Sequence, residues 1–250
     1  MTTKAQPAFK LPGARRSSAH YHLPVDTIQQ LLLGAIDDLA EYGATRFSPV
    51  TLCARLKLPP SLVNYHFGSR MSLILDASVL AYEQYVEGQE VALEEANPEG
   101  QLAAWIDSQI AWTMKHSGIA SVLNFPGLTG PSNSEFTMEH QSRLEQAAVR
   151  NMAVLSTIVG RIQGIAQSEE LMTQEKIAAH PKVALATAMI GWLTLGHSVW
   201  RSGHHIPTSQ IPVVQQQTSA VFSAVIPTAI SIAKNPVFFA ESAGAAKATR

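Results

Sequence analysis

Between residues 47 and 70 the chain cannot form one continuous helix, and no other stretch constrains its fold as much. Pro59 and Pro60 lack the amide hydrogen that a helix interior needs, so a turn must separate the segments on either side. Ser48 precedes Pro49: the hydroxyl suits an N-cap, and proline at the first helical position gives up only an amide that has no intrahelical partner. One short helix is therefore expected to run from Pro49 to about Leu56 and another from Ser61 to Phe67, with a long helix starting at Ser69. Two short helices across a tight break, joined rigidly to a longer one, have the layout of a helix-turn-helix.

Upstream, Ile28, Leu31, Leu32, Ala35, Ile36 and Leu39 recur at three- and four-residue spacing, which predicts an amphipathic helix. Asp26 is its expected cap and Gly43 its break. The long helix is expected to reach Ala96, where Asn97-Pro98 stops it, and would span roughly 40 Å. Further helices are predicted near 101–116, 119–124, 132–168, 181–202 and 212–234. No period-2 run or hairpin signal interrupts them, so the fold class is all-α: a three-helix head, a long connecting helix and a helical body. The expected organisation is a flexible basic arm (1–22), the head (23–70), the body (71–238) and a frayed tail (239–250).

The chain holds one cysteine in 250 residues, which rules out an internal disulfide framework and suits a reducing compartment; the expected location is the cytoplasm. The first 22 residues carry cations but no apolar run, so no signal peptide is expected, and Thr, His, Ser or Pro interrupt the apolar stretches near 183–199 and 221–233, so no membrane span is expected. The formal charge of −1 hides an asymmetry: residues 1–70 hold eight Lys/Arg against four acids, and residues 71–250 hold ten against fifteen. A basic front on an acidic body fits a head that faces a polyanion. The surplus lies wholly in the arm, which is either a solvated tail or a contributor of much of the affinity.

The residues from Ile28 to Ala77 carry a family resemblance. Gly43, Ser48, the anchors Leu52 and Leu58, and the ending Tyr65-His66-Phe67-Gly68-Ser69-Arg70 resemble the DNA-binding head of the TetR family of transcriptional regulators. The ending matches that family's aromatic-x-His-Phe-x-Ser-Lys/Arg signature. The resemblance implies double-stranded DNA as a partner, a small-molecule effector, a homodimer on a palindromic operator, and no enzymatic activity or cofactor. Arg46, Ser48, Lys57, Ser61, Leu62, Asn64, Tyr65, His66 and Arg70 are the expected DNA-contacting residues. Asn64 can bond an adenine bidentately and Leu62 can meet a thymine methyl, while Ser48, Tyr65, His66 and Arg70 suit phosphate oxygens. Lys57 and Asn64 depart from the usual glycine and tyrosine, and Val50 stands where a polar or basic residue is common. A left-handed Lys57 would cost on the order of 1 kcal/mol.

The resemblance also implies dimerisation through helices 182–202 and 212–234, whose Gly191 and Gly196 suit close helix contact, with a kink at Pro227. An effector cavity is expected among the middle helices, lined by Tyr82, Trp105, Gln109, Trp112, His116, Phe125, Met152, Met189, Trp192 and His197. Few charges fall in these helices, so the effector is expected to be small and moderately apolar. Effector binding would swing the connecting helix and release the operator. His180, His197, His204 and His205 lack a companion carboxylate at ligand spacing, so no metal site is expected. Gly160 and Gly164 form a helix-contact pattern. The rival reading is an interaction protein that keeps the fold without specific DNA binding.

Overall fold

The structure is a computed structural model that describes residues 25–89, 97–124, 135–165, 174–202 and 210–236; within these, the side chains of 25, 26, 124, 174, 175, 195–202, 211 and 213–223 are not described. The described residues are helical, with no strand among them. They form α1 (Val25–Arg46), α2 (Pro49–Leu56), α3 (Ser61–Phe67), α4 (Arg70–Gln89), α5 (Pro98–Lys115), α6 (Ser117–Asn124), α7 (Met138–Ile162), α8 (Gln174–Ala179), α9 (Pro181–Ser202) and α10 (Ile211–Lys234). None of these helices is long and apolar enough to cross a membrane. The expected arm and tail lie outside the described residues.

The local rules that predicted the head operate in it. Ser48 accepts a hydrogen bond from the Thr51 amide at 3.3 Å, and Pro49 opens α2. Lys57 ends α2 in the left-handed region (φ 57°, ψ 37°), and its amide turns back to the Ala54 and Cys53 carbonyls. At Gly43 the backbone leaves helical geometry (φ 72°, ψ 164°), after which one further turn reaches Arg46. Asp26, the expected cap of α1, lies inside its first turn instead. Asn97-Pro98, expected to stop the long helix, opens α5: Asn97 accepts from the Gly100 amide at 2.7 Å, and Pro98 occupies the first helical position; residues 90–96, where the long helix was expected to end, lie outside the described residues. The described part of α4 is 20 residues, about 30 Å. Gly164 (φ 71°) lies beyond the end of α7, so it does not form a helix contact with Gly160. Pro227 lies inside α10 as expected.

Two apolar cores organise the molecule. The first joins the head (Leu31, Leu39, Phe47, Leu52, Cys53, Val63) to Leu73, Ile74 and Ala77 of α4 and to Ile119 and Val122 of α6. The second packs α5, α7, α8, α9 and α10 around Trp105, Ile106, Met114, Leu155, Ile158, Val183 and Ile190. Helix α6 packs on both α1 and α9 and so links the two cores. At its start Gly118 touches the backbone of α1: a Cβ built there would lie 2.4 Å from the Leu39 carbonyl oxygen and 2.8 Å from the Gly43 Cα. Only a residue without a side chain permits that approach.

Candidate nucleic-acid interface and effector seam

The seven residues of α3 divide by helical period. Val63 is buried, and Leu62, His66 and Phe67 are half-buried on the same side, while Ser61, Asn64 and Tyr65 are exposed. Leu62, expected to face a base, packs instead against the head's core. His66, expected at a phosphate, sits edge-on between the Tyr65 ring (4.8 Å between centroids) and the Phe67 ring (6.4 Å). Its Nε2 is enclosed with no hydrogen-bond partner among the described residues, and burial pushes its pKa down, so the ring favours the neutral form. The outward groups on α3 are therefore a hydroxyl, an amide and a phenol.

Arg70 also departs from expectation. Its Nε donates to the Phe47 carbonyl at 3.0 Å and its Nη2 to the carbonyls of Ala44 and Thr45. The guanidinium lies 6.0 Å from the Phe47 ring centroid. It clasps the first turn of α4 to the end of α1, where helix-terminal carbonyls attract a cation. Arg55 is similarly engaged: its Nη2 donates to the Gly34 carbonyl at 2.9 Å and to Asp38 Oδ1 at 2.7 Å. Burial raises the Asp38 pKa, and the Arg55 charge and hydrogen bond oppose that rise. Ser48 is half-buried, and Arg46 and Lys57 are exposed. With the Arg70 guanidinium clasped to backbone carbonyls and Arg55 paired with Asp38, the face around α3 is polar and weakly charged.

In the body, 4-3-4 spacing puts Ser78, Tyr82, Tyr85 and Gln89 on one stripe of α4. Of these, Tyr82, Tyr85 and Gln89 meet Trp112, Gln109 and Ser108 of α5, and Gln109 and Trp105 in turn meet Asn151 of α7. Tyr85 Oη donates to Gln109 Oε1 at 2.6 Å, Asn151 Nδ2 donates to the same oxygen at 3.3 Å, and Trp105 Nε1 donates to Asn151 Oδ1 at 3.1 Å. Gln89 Nε2 donates to Ser108 Oγ at 2.6 Å. Aromatic contacts run from Tyr82 and Tyr85 through Trp112 to His116, with centroids 5.0–5.8 Å apart across the Trp112 contacts. Burial pushes both tyrosine hydroxyls up. Burial first and then Lys115 push His116 down, while the Trp112 carbonyl and Asp37 of α1 oppose that shift.

A second stripe of α4, with residues seven apart, is tied to α7 and the turn before it. Ser69 Oγ donates to Glu135 at 2.9 Å, Asp76 pairs with His140 Nε2 at 2.9 Å, and Glu83 takes a forked pair from Arg143 at 2.9 and 2.6 Å. Sequence reading missed this ladder: the i, i+7 acids were visible on α4, but their partners lie 60 or more residues away.

The expected effector residues fall into separate groups. Tyr82, Trp105, Gln109, Trp112 and His116 come together in the seam, joined by Tyr85 and Asn151, which the sequence reading did not single out. Met189 and Trp192 instead line an open apolar groove of about 460 Å³ with Ala188, Leu193 and Ile232, on α9 and α10. Trp192 is 74% exposed, so it does not line an enclosed cavity in this chain. Met152 lies between these groups, with its Sδ and Cε beside Gly191. Phe125 and the His197 side chain lie outside what is described. Among the described residues no three His, Cys, Asp or Glu side chains gather; His204, His205 and the side chain of His197 again lie outside them.

No protein-family profile matches the chain, and neither does any curated protein. Solved structures do. The transcriptional regulator FadR from Bacillus subtilis, determined in complex with stearoyl-CoA, is similar with a TM-score of 0.51 at 15% identity, over 83% of this chain and 97% of FadR. The TetR-family transcriptional regulator PfmR from Thermus thermophilus gives 0.49 at 19% identity, over 79% of this chain and 97% of PfmR. The likeness to FadR is one of fold: two short helices, a longer one and an all-α body, as described above.

Proposed function

We propose that this chain is a ligand-responsive, DNA-binding transcriptional regulator, not an enzyme, that works as a homodimer in the cytoplasm and represses by holding a palindromic operator until a small, moderately apolar effector binds. The observation that carries the reading is the outward set on α3: Ser61, Asn64 and Tyr65 project from a helix fixed by Val63 inside and by the Arg70 clasp behind it. A helix so held, carrying groups that bond base edges and phosphates, suits the major groove. With Arg70 clasped to backbone carbonyls and Arg55 paired with Asp38, Arg46, Lys57 and the arm would supply the phosphate contacts.

The open groove around Trp192 supports pairing of two copies through α9 and α10, because a large exposed apolar group marks an interface. FadR was determined with a bound acyl-CoA; effector control here would act through the seam, where α4 meets α5, and would reach α1 through α6. The effector would shift the population toward a placement of α4 in which the two heads no longer match the operator.

Electrophoretic retardation of DNA from upstream of the chain's own coding region tests the reading. Specific, salt-sensitive retardation, lost on Asn64→Ala, is the expected result. No retardation at low salt would leave the chain a TetR-fold interaction protein, a reading that the weakly charged head favours.

A further inference from the structure

We propose that the seam between α4, α5 and α7 takes an uncharged, planar aromatic molecule that carries its own hydrogen-bonding groups, which then acts as the effector; the second half of this statement rests on the regulator reading above. The walls are aromatic: Tyr82, Tyr85 and Trp112 stand between α4 and α5, and Trp105 lies behind them. Flat rings bind other flat rings by offset or edge-on contact, which a flexible alkyl chain does not reproduce.

Every polar group joined in this seam is neutral. Gln89, Ser108, Tyr85, Gln109, Asn151 and the Trp105 indole form a run of amides and hydroxyls without a carboxylate, ammonium or guanidinium. Two acids of α4 are engaged with α7 outside this run, Glu83 in an ion pair with Arg143 and Asp76 in a hydrogen bond with His140. Arg161 of α7 is bonded to Gln101. A phosphate or carboxylate placed in the seam would lose its hydration with no opposite charge to replace it.

Two buried atoms mark where a ligand gains bonds. Ser78 Oγ, on a residue with no exposed surface, and Gln89 Oε1, on a residue 1% exposed, have no hydrogen-bond partner among the described residues. Both belong to the α4 stripe that carries Tyr82 and Tyr85, and the other end of the Gln89 amide is already tied to Ser108 in the seam. Buried polar atoms are seldom left unpaired, so a ligand that offers an N–H or O–H has an acceptor to meet. Gln109, Trp112 and Tyr82 keep part of their surface exposed, which gives a path in from outside. The bound molecule exchanges bonds with Gln109 and Asn151 and displaces the rings that separate α4 from α5.

Saturation-transfer NMR and tryptophan fluorescence on the full chain, with 4-hydroxybenzamide, 4-hydroxybenzoate and decanoate as probes, test this. The neutral amide should bind, and the carboxylate, of nearly the same shape, should bind at least about tenfold more weakly. Gln109→Leu should weaken the amide by about tenfold or more with the chain still folded at the assay temperature, though its melting temperature should fall because Tyr85 and Asn151 lose a shared acceptor. Should that variant unfold, Tyr85→Phe, which removes a single hydroxyl, should weaken it in the same direction. Equal or tighter binding of 4-hydroxybenzoate, preference for decanoate, no saturation transfer to the amide, or indifference to both substitutions would overturn the proposal. DNA retardation in the same samples separates the two readings. Seam binding that leaves DNA binding untouched keeps the ligand class and removes the effector role, whereas release of DNA by decanoate alone does the reverse.

Discussion

Lys57 holds a left-handed conformation that costs an L-residue on the order of 1–2 kcal/mol and glycine almost nothing. Glycine loses more backbone freedom on folding, which offsets about half of that gain. Lys57→Gly should therefore stabilise the chain by about 0.5–1 kcal/mol, seen as a higher urea midpoint. If Lys57 also meets a phosphate, the same substitution should lower the salt slope of DNA binding by about 0.9. Arg70 should behave in the contrary way. Arg70→Ala strips donors from the carbonyls of Ala44, Thr45 and Phe47 and should destabilise by roughly 1–3 kcal/mol. Because its guanidinium is turned onto those carbonyls, the salt slope should stay unchanged, and Arg70→Lys should rescue poorly because an ammonium lacks the planar fork. A fallen slope with unchanged stability would return Arg70 to the phosphate role that its motif suggested.

At the scale of helices, α4 is held by its ladder and α6 by its contact with α1. The Glu83–Arg143 fork is partly buried, with side chains 25% and 18% exposed. After discounting for solvent screening, a double-mutant cycle should give a coupling of about 1 kcal/mol that weakens in high salt. Gly118→Ala should cost more, roughly 1–3 kcal/mol, because its Cβ would collide with the Leu39 carbonyl, backbone that cannot move aside as a side chain can. A Gly118→Ala variant as stable as the parent would mean that α6 and α1 separate freely. What the sequence disclosed about these elements follows from how local the cause was. Ser48-Pro49 and Pro59-Pro60 act within a few residues, so α2 and α3 were legible, and Pro181 marked the start of α9. Asn97-Pro98 was read as a stop and is the cap of α5, since a terminator and a cap use the same residues. The six residues of α8 carry too little periodicity to announce a helix. Trp112 and Trp192 looked equivalent, each on an apolar helix; only the packing of α9 on α6 and α7 separates the seam from the outer groove. Leu62 and His66 were expected to face outward, but a seven-residue helix needs several inward positions to hold it, and both are half-buried with Val63 and Phe67.

For the whole molecule the deciding question is whether two heads are presented together. On the proposed reading, a lone head with a weakly charged face would gain little from phosphates, so useful affinity would require two half-sites bound at once. Binding of the second head is then intramolecular, and its effective concentration multiplies the first affinity. That linkage would run through the groove of Ala188, Met189, Trp192, Leu193 and Ile232, where the Trp192 indole is mostly exposed. Trp192→Asp places a charge at the centre of that face, and an uncompensated buried charge opposes association strongly. Since Trp192 is mostly exposed within one chain, the protomer's own core should tolerate the change. Sedimentation should show dimers for the parent and monomers for the variant, with the helical signal by circular dichroism unchanged. DNA retardation should fall by about a hundredfold or more, the range that linking two sites commonly supplies. If the variant stays dimeric, the copies pair through another face, and the half-site spacing must be set by something other than α9 and α10.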